Sequence, residues 1–259
     1  MISFIYDHKY PQYWRDGLSA SLDLLEEEGY EIERINLQNG KPKIKTDNIV
    51  IGWGAFGGPV DLFCKELPNR KALCIAGVTK EPDYSKLYDV LFYETDWFGK
   101  SLQHPNKIKA FGVNTDIYRE VTMPKMWDTI TVGAFALWKR QEKLIGKEER
   151  RVAVGEVQED NLRESMSIVW SLLKDGVMVS PMVEPETLSL MYNSSFSCYI
   201  PADIYGGGER AVLEARSCGL PVTVENDNPK LKELLYGPVY SHKDYAEQLK
   251  KGIKCLLEK

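Results

Sequence analysis

The chain has 259 residues, 43% hydrophobic and 27% charged, the composition of a globular protein that can bury a core without disulfides or a metal. Lysine and arginine number 33 against 38 aspartates and glutamates, so a net charge of -5 gives no general attraction to nucleic acid or an anionic membrane. The five cysteines (Cys64, Cys74, Cys198, Cys218 and Cys255) are far apart with no CxxC, which argues against zinc and for a reduced, cytoplasmic protein. No secretory leader opens the sequence, and no apolar run reaches the ~20 residues of a transmembrane segment.

Short apolar runs alternate with amphipathic patterns from there on. Ile2–Tyr6 predicts a first strand, and residues 14–28 a helix with Leu18, Leu22 and Leu25 on one face and Gly29 at its C-terminal cap. Strands are expected at 30–37, 48–52, 72–76, Val90–Tyr93 and 107–111, with a helix at 60–66. Residues 112–126 are polar, aperiodic and contain Pro124, and read as a linker. The alternation then restarts with strand 129–132, helix 139–146, strand Arg151–Val154 and helix 162–173, whose apolar face is assigned to Met166, Val169, Trp170 and Leu173. Strand 177–179, helix 184–193, strand 197–200, helix 208–218 and strand 221–224 follow. Ser241 caps a last helix, with Asp244 in the capping-box position and Tyr245, Leu249, Ile253 and Leu256 as its stripe.

Two βα-alternating halves predict an α/β protein of two Rossmann-like domains facing each other across a cleft. The expected boundaries are 1–118 and 119–240, with the helix of 241–259 packing back toward the first domain. Ligands of such sheets bind outside the carboxyl ends of the strands, so the loops there hold the candidates.

The stretch YGGGERAVLEA, residues 205–215, follows one strand and opens a helix. A helix N-terminus offers unpaired N–H groups and partial positive charge, and glycines admit a ligand to the backbone. A phosphate or diphosphate over Gly206, Gly207, Gly208 and Glu209 is one reading, and a flexible turn is the other. Glu214 is either a carboxylate for vicinal ribose hydroxyls or a solvated surface glutamate. In GAFALWKR, residues 133–140, Lys139 and Arg140 are either cations for a diphosphate or exposed charges on a surface helix. The backbone of SPMV, residues 180–183, could hydrogen-bond a planar base, though nothing in its composition demands one. In the first half, the loops 7–14, 53–59 and 77–83 follow strands and are further binding candidates, with His8, Trp53, Gly57 and Gly58 singled out. His8 also fits a loop without a role, and Trp53 an ordinary βα turn. The three histidines are dispersed and Asp-x-Asp is absent, so no metal constellation is expected.

In order and spacing these loops resemble the C-terminal domain of glycosyltransferase family 4. Residues 177–235 carry most of the likeness, with LEARSCGLPV (213–222) matching the family's E-A segment and C-G-x-P-V strand. GVNTDIY (112–118) resembles the NGVDxxxF interdomain element, and GAFALWKR, beginning at Gly133, the G-R-x-x-x-x-K-G phosphate loop. The resemblance implies the GT-B fold and retaining transfer of a sugar from a UDP-, GDP- or ADP-sugar to an unnamed acceptor, with no cofactor and no required metal. By position it implies that Glu214 is the second glutamate of the E-x7-E motif, on the ribose hydroxyls. Gly207 and Gly208 would lie under the diphosphate and sugar, Lys139 or Arg140 would be the catalytic cation, Met182 and Val183 would frame the base, and the first-half loops with His8, Trp53, Gly57 and Gly58 would be the acceptor side. Gly206 departs from the pattern, standing where the first glutamate belongs; Ala134 replaces an arginine, and Phe111 and Asn114 depart from the interdomain element. Gly206 in place of the first glutamate and Ala134 support an alternative, a degenerate member that binds nucleotide or sugar without transfer. A phosphorylase or epimerase of the same fold is another. A DNA-modifying glycosyltransferase using Lys9, Arg15 and Lys80 is a further one, disfavoured by the net charge of -5.

Overall fold

The computed structural model describes residues 1–9, 16–147 and 150–258. They form two compact units, Met1–Gly112 with Tyr240–Lys259, and Val113–Val239. The polar segment expected as a linker falls almost wholly in the second unit. It has neither helix nor strand before Trp127, but it is laid onto that unit's helices: Val121 donates its N–H to Asn193 at 2.7 Å, and Ser189 donates to the Ile117 carbonyl at 2.7 Å.

Unit 1 begins with β1 (Ile2–Tyr6), α1 (Gly17–Glu27) and β2 (Ile32–Asn36). The predicted start of α1 at Trp14 and Arg15 lies outside the described residues. The helix is capped by Asp16, whose carboxylate accepts the Ser19 N–H at 3.0 Å, and it buries Leu18, Leu22 and Leu25 as the periodicity requires. β3 (Ile49–Gly54), α2 (Pro59–Cys64), β4 (Lys71–Ile75), β5 (Val90–Tyr93), α3 (Asp96–Gly99) and β6 (Lys107–Lys109) follow. The six strands pair in parallel in the order β2-β1-β3-β4-β5-β6. Strands covered on both faces read as continuous apolar runs, and β4 is buried along its whole length. The order reverses between β1 and β3.

Unit 2 has β7 (Trp127–Val132), β8 (Arg151–Val154), α4 (Leu162–Lys174), β9 (Met178–Ser180), α5 (Pro185–Asn193), β10 (Ser195–Ile200), α6 (Glu209–Ser217), β11 (Val222–Val224) and α7 (Pro229–Tyr236). Its five parallel strands run β11-β10-β7-β8-β9, with the order reversing between β7 and β10.

Three expectations need correction here. The helix placed at 139–146 is two 3-10 turns, Leu137–Lys139 and Gln141–Leu144, because Arg140 between them takes a left-handed backbone at φ 52°. Of the face assigned to α4, Val169 is buried as expected, but Met166, Trp170 and Leu173 do not form the inward stripe. The helix buries Ser165, Ile168, Val169 and Leu172, while Trp170 is 65% exposed. Both stripes have helical spacing, and the inward one includes a small residue, Ser165, that bonds the Phe135 carbonyl at 2.6 Å. The third concerns α7, which was not expected. Its signals are local: Asn228 caps it by accepting the Leu231 N–H at 3.2 Å, and Pro229 occupies its first turn.

The last helix, α8 (His242–Leu257), belongs to unit 1 and buries Tyr245, Leu249, Ile253 and Leu256. Ser241 and Asp244 form a reciprocal capping box, the Ser241 N–H reaching the Asp244 carboxylate at 2.8 Å and the Asp244 N–H the Ser241 hydroxyl at 3.2 Å. Ser241→Ala is expected to cost about 1 kcal/mol, read as a lower midpoint in thermal or urea unfolding. Among the described residues no helix is long and apolar enough to cross a membrane.

Candidate functional site

A reversal of strand order opens a crevice at the carboxyl edge of a parallel sheet. In unit 2 the crevice is flanked by the loops after β7 and β10, which are GAFALWKR and the segment holding the three glycines. The two loops are tied together. The Trp138 carbonyl accepts the Asp203 N–H at 2.9 Å, and the Gln141 side chain closes the first loop by donating to the Gly133 carbonyl at 2.6 Å.

The glycines answer different demands. A Cβ on Gly206 would stand 2.2 Å from the Trp138 carbonyl oxygen, so the backbone of the neighbouring loop occupies the space of any side chain there. Gly208 caps α6 at φ 104°, a conformation other residues adopt only with strain. Gly207 faces a cation: a Cβ there would lie 3.2 Å from Lys139 Nζ and 3.6 Å from Glu209 Oε2. The same ammonium lies 3.6 Å from the Cβ position of Gly133.

Among the described residues the Lys139 side chain makes no hydrogen bond or ion pair, while its backbone N–H donates to the Ala136 carbonyl at 2.8 Å. Burial pushes its pKa down to about 8, opposed by the field of Glu209 and assisted by those of Arg210 and Lys230. An ammonium with no side-chain partner among the described residues, beside a glycine backbone and at the start of a nine-residue helix, places positive charge where an anion can approach.

Arg140 is different in kind. Its guanidinium donates to Asp227 at 2.6 Å and lies 3.9 Å from Asp203, and Asp227 holds its pKa above the usual arginine value. A left-handed backbone costs a non-glycine residue roughly 1–2 kcal/mol, and these carboxylates anchor the residue in it. Of the two cations expected to meet a diphosphate, one is unpaired and the other is already matched.

Under the glycine loop lies a pair that the sequence did not single out. Lys230 on α7 is completely buried and sits 2.6 Å from Glu209 Oε1, out of hydrogen-bonding alignment. Asn228, also fully buried, donates to the carbonyls of Ala202 and Asp203 at 2.9 and 2.8 Å. The start of α7 therefore braces the loop. The Asn-Pro-Lys triplet marks a helix start, but nothing local says that its lysine points inward.

Glu214 is 8% exposed, which removes the surface reading. The hydroxyl of the buried Tyr192 donates to its carboxylate at 3.5 Å. Met182 and Val183 are half-buried in the loop after β9, two strands from β7 across the sheet. Ala134 is half-buried in the loop after β7.

The acceptor-side candidates lie in unit 1, at its own reversal of strand order between β1 and β3. His8 exchanges backbone hydrogen bonds with the Asn36 side chain at 3.2 and 2.8 Å. Trp53 was expected in a loop but lies within β3, half-buried. Gly57 turns at φ 77° and donates its N–H to Asp61 at 2.7 Å, and Gly58 caps α2. Asp61 is fully buried and also accepts the hydroxyls of Tyr84 at 2.5 Å and Tyr88 at 2.6 Å, which fixes the loop. Part of the 7–14 loop, including Arg15 just beyond it, falls outside the described residues. Among those described, no cluster of three or more His, Cys, Asp or Glu is placed to hold a metal ion.

No family model and no curated protein matches the chain. Solved structures do. AviGT4, a glycosyltransferase involved in avilamycin A biosynthesis, aligns with a TM-score of 0.64 and 14% identity over 100% of this chain and 98% of its own. Anabaena HepE, whose structure holds UDP and glucose, aligns with a TM-score of 0.61 and 10% identity over 99% of this chain and 89% of its own. A Listeria monocytogenes protein provisionally named a UDP-N-acetylglucosamine 2-epimerase aligns with a TM-score of 0.57 and 14% identity over 100% and 96%. At such identities the likeness is one of fold. The chain is an α/β protein with two parallel sheets and the GT-B fold. That fold serves more than one chemistry, so activity must be argued from the site.

Proposed function

We propose that this protein is a retaining glycosyltransferase that moves a sugar from a nucleoside-diphosphate sugar to an acceptor without requiring a metal. The observation that carries the proposal is the unpaired Lys139 ammonium beside Gly207, at the start of α6 and at the reversal of strand order in unit 2. Breaking the bond between the sugar C1 and the diphosphate leaves negative charge on the departing oxygen. Lys139 and the N–H groups at the start of α6 meet that charge, and preorganised donors of this kind are usually the largest catalytic contribution. The acceptor oxygen bonds to C1 on the face the diphosphate leaves, and its proton passes to the departing phosphate. Glu214 holds the ribose hydroxyls, and Met182 and Val183 border the base. His8, Trp53, Gly57 and Gly58 serve the acceptor.

A thermal-shift panel of UDP, GDP, ADP and their sugars tests the donor site, because a ligand that binds only the folded state raises Tm. A flat panel overturns the proposal. Glu214→Ala removes a charged hydrogen-bond acceptor, about 1.5–3 kcal/mol, and is expected to weaken nucleotide binding by an order of magnitude or more. An unshifted titration would count against the ribose role.

A second reading follows from Gly206, where the Trp138 carbonyl leaves no room for a sugar-holding glutamate. It is a protein that binds nucleotide or sugar without transferring it. Donor consumption with a panel of acceptors separates the two, and the anomeric configuration of any product tests retention.

A further inference from the structure

Glu209 has two ammonium groups within reach, and only one of them holds it. Its Oε1 is 2.6 Å from Lys230 Nζ. Its Oε2 is 3.6 Å from the Cβ position of Gly207, and Lys139 Nζ is 3.2 Å from that same point, yet Lys139 remains unpaired. Glu209 is 5% exposed and the Lys230 side chain not at all, so water does little to screen the competition. A buried carboxylate that loses its partner carries a large penalty, relieved by taking up a proton or by pairing with another cation within reach, and here that cation is Lys139.

We infer that Lys230 is a positioning residue that holds the Glu209 carboxylate away from Lys139, and so keeps the Lys139 ammonium open to an incoming anion. This rests on the reading of the glycine cradle as a diphosphate site.

The charged groups facing Lys139 are Glu209 and Arg210 from α6, Lys230 from α7, and Asp203 from the loop after β10. Asp203 lies 3.9 Å from the Arg140 guanidinium, which draws on its charge. Glu209 is therefore the carboxylate that would close on Lys139 if Lys230 lost its charge. The site would then neutralise itself before a ligand arrived.

The test is calorimetric titration of the full chain with inorganic pyrophosphate and with UDP, from neutral to alkaline pH. Wild type, Lys230→Met and the double variant Lys230→Met/Glu209→Gln are compared. In the wild type, binding should fall as pH rises through about 8, as Lys139 loses its proton. In Lys230→Met, pyrophosphate affinity should drop roughly tenfold or more, the scale of one charged contact. Its alkaline midpoint should move upward, because pairing with Glu209 favours the ammonium. The double variant should recover affinity and return the midpoint downward. A merely structural lysine would lower affinity only through lost stability, so Lys230→Met would then show a reduced Tm with an unmoved alkaline midpoint. Lys230→Met with wild-type affinity and midpoint overturns the inference, as does a folded double variant that binds as weakly as the single one. If Lys230→Met does not fold, the double variant decides: wild-type affinity supports the inference and weak binding overturns it. Wild type that binds neither probe overturns the diphosphate reading itself, which separates that failure from a failure of the role of Lys230.

Discussion

Lys139→Ala is expected to lower sugar transfer by about 10²–10³ in kcat, the usual cost of removing one preorganised donor from developing charge. The fold should survive, since the ammonium makes no hydrogen bond or ion pair among the described residues. The sign of the pH dependence follows from burial, which lowers the ammonium pKa to about 8. The protonated form is the one that meets a diphosphate, so kcat/KM should decline as pH rises through that value. Lys139→Arg retains a charge that does not titrate in this range, and its profile should lack this alkaline limb. Arg140→Ala should behave differently, because its charge is already matched by Asp227 and Asp203. Its effect should appear in stability before it appears in turnover. Equal losses in the two alanine variants, or unchanged turnover in Lys139→Ala, would reject the assignment.

Gly206→Glu, which writes the missing motif glutamate back into the chain, is expected to damage the site. The new Cβ would stand 2.2 Å from the Trp138 carbonyl oxygen, a contact that only movement of backbone can relieve. Forcing extra atoms into such a contact costs typically 1–3 kcal/mol, occasionally more. The movement would break the 2.9 Å hydrogen bond from the Asp203 N–H to Trp138 and spread the two loops that flank the crevice. Tm should fall and nucleotide affinity with it. A variant that gains transfer activity at unchanged Tm would mean that the loops open readily in solution. Glu209, three residues further along, is a carboxylate that could stand in for the missing one. Its carboxylate is held by Lys230, so it is not free to grip a sugar while that pair is intact.

Much of the architecture was legible because it is written in local patterns. The alternation of apolar runs and amphipathic helices located every strand of both sheets, to within a few residues at the ends. The Ser241 box and the Leu18, Leu22 and Leu25 stripe are likewise short-range features. Failures came where two patterns competed or a single backbone angle intervened. Helix α4 carries two apolar stripes, and only packing selects the one that includes Ser165. The helix expected at 139–146 is interrupted by the left-handed Arg140, which no periodicity announces.

For the site, residue types and their order along the chain were determined by the sequence alone: glycines before a helix, a Lys-Arg pair after a strand, a glutamate further along α6. Only the tertiary structure decided what each is free to do. Arg140 is matched by Asp227, 87 residues away, while the Lys139 ammonium has no partner among the described residues. Gly206 is barred from any side chain by the Trp138 carbonyl, and Glu209 is held from below by a lysine on a helix the periodicity missed. The reason is range. Helix and strand formation depend on neighbours a few residues apart, whereas the charge and space available at a binding loop depend on which distant segments the sheet order brings against it.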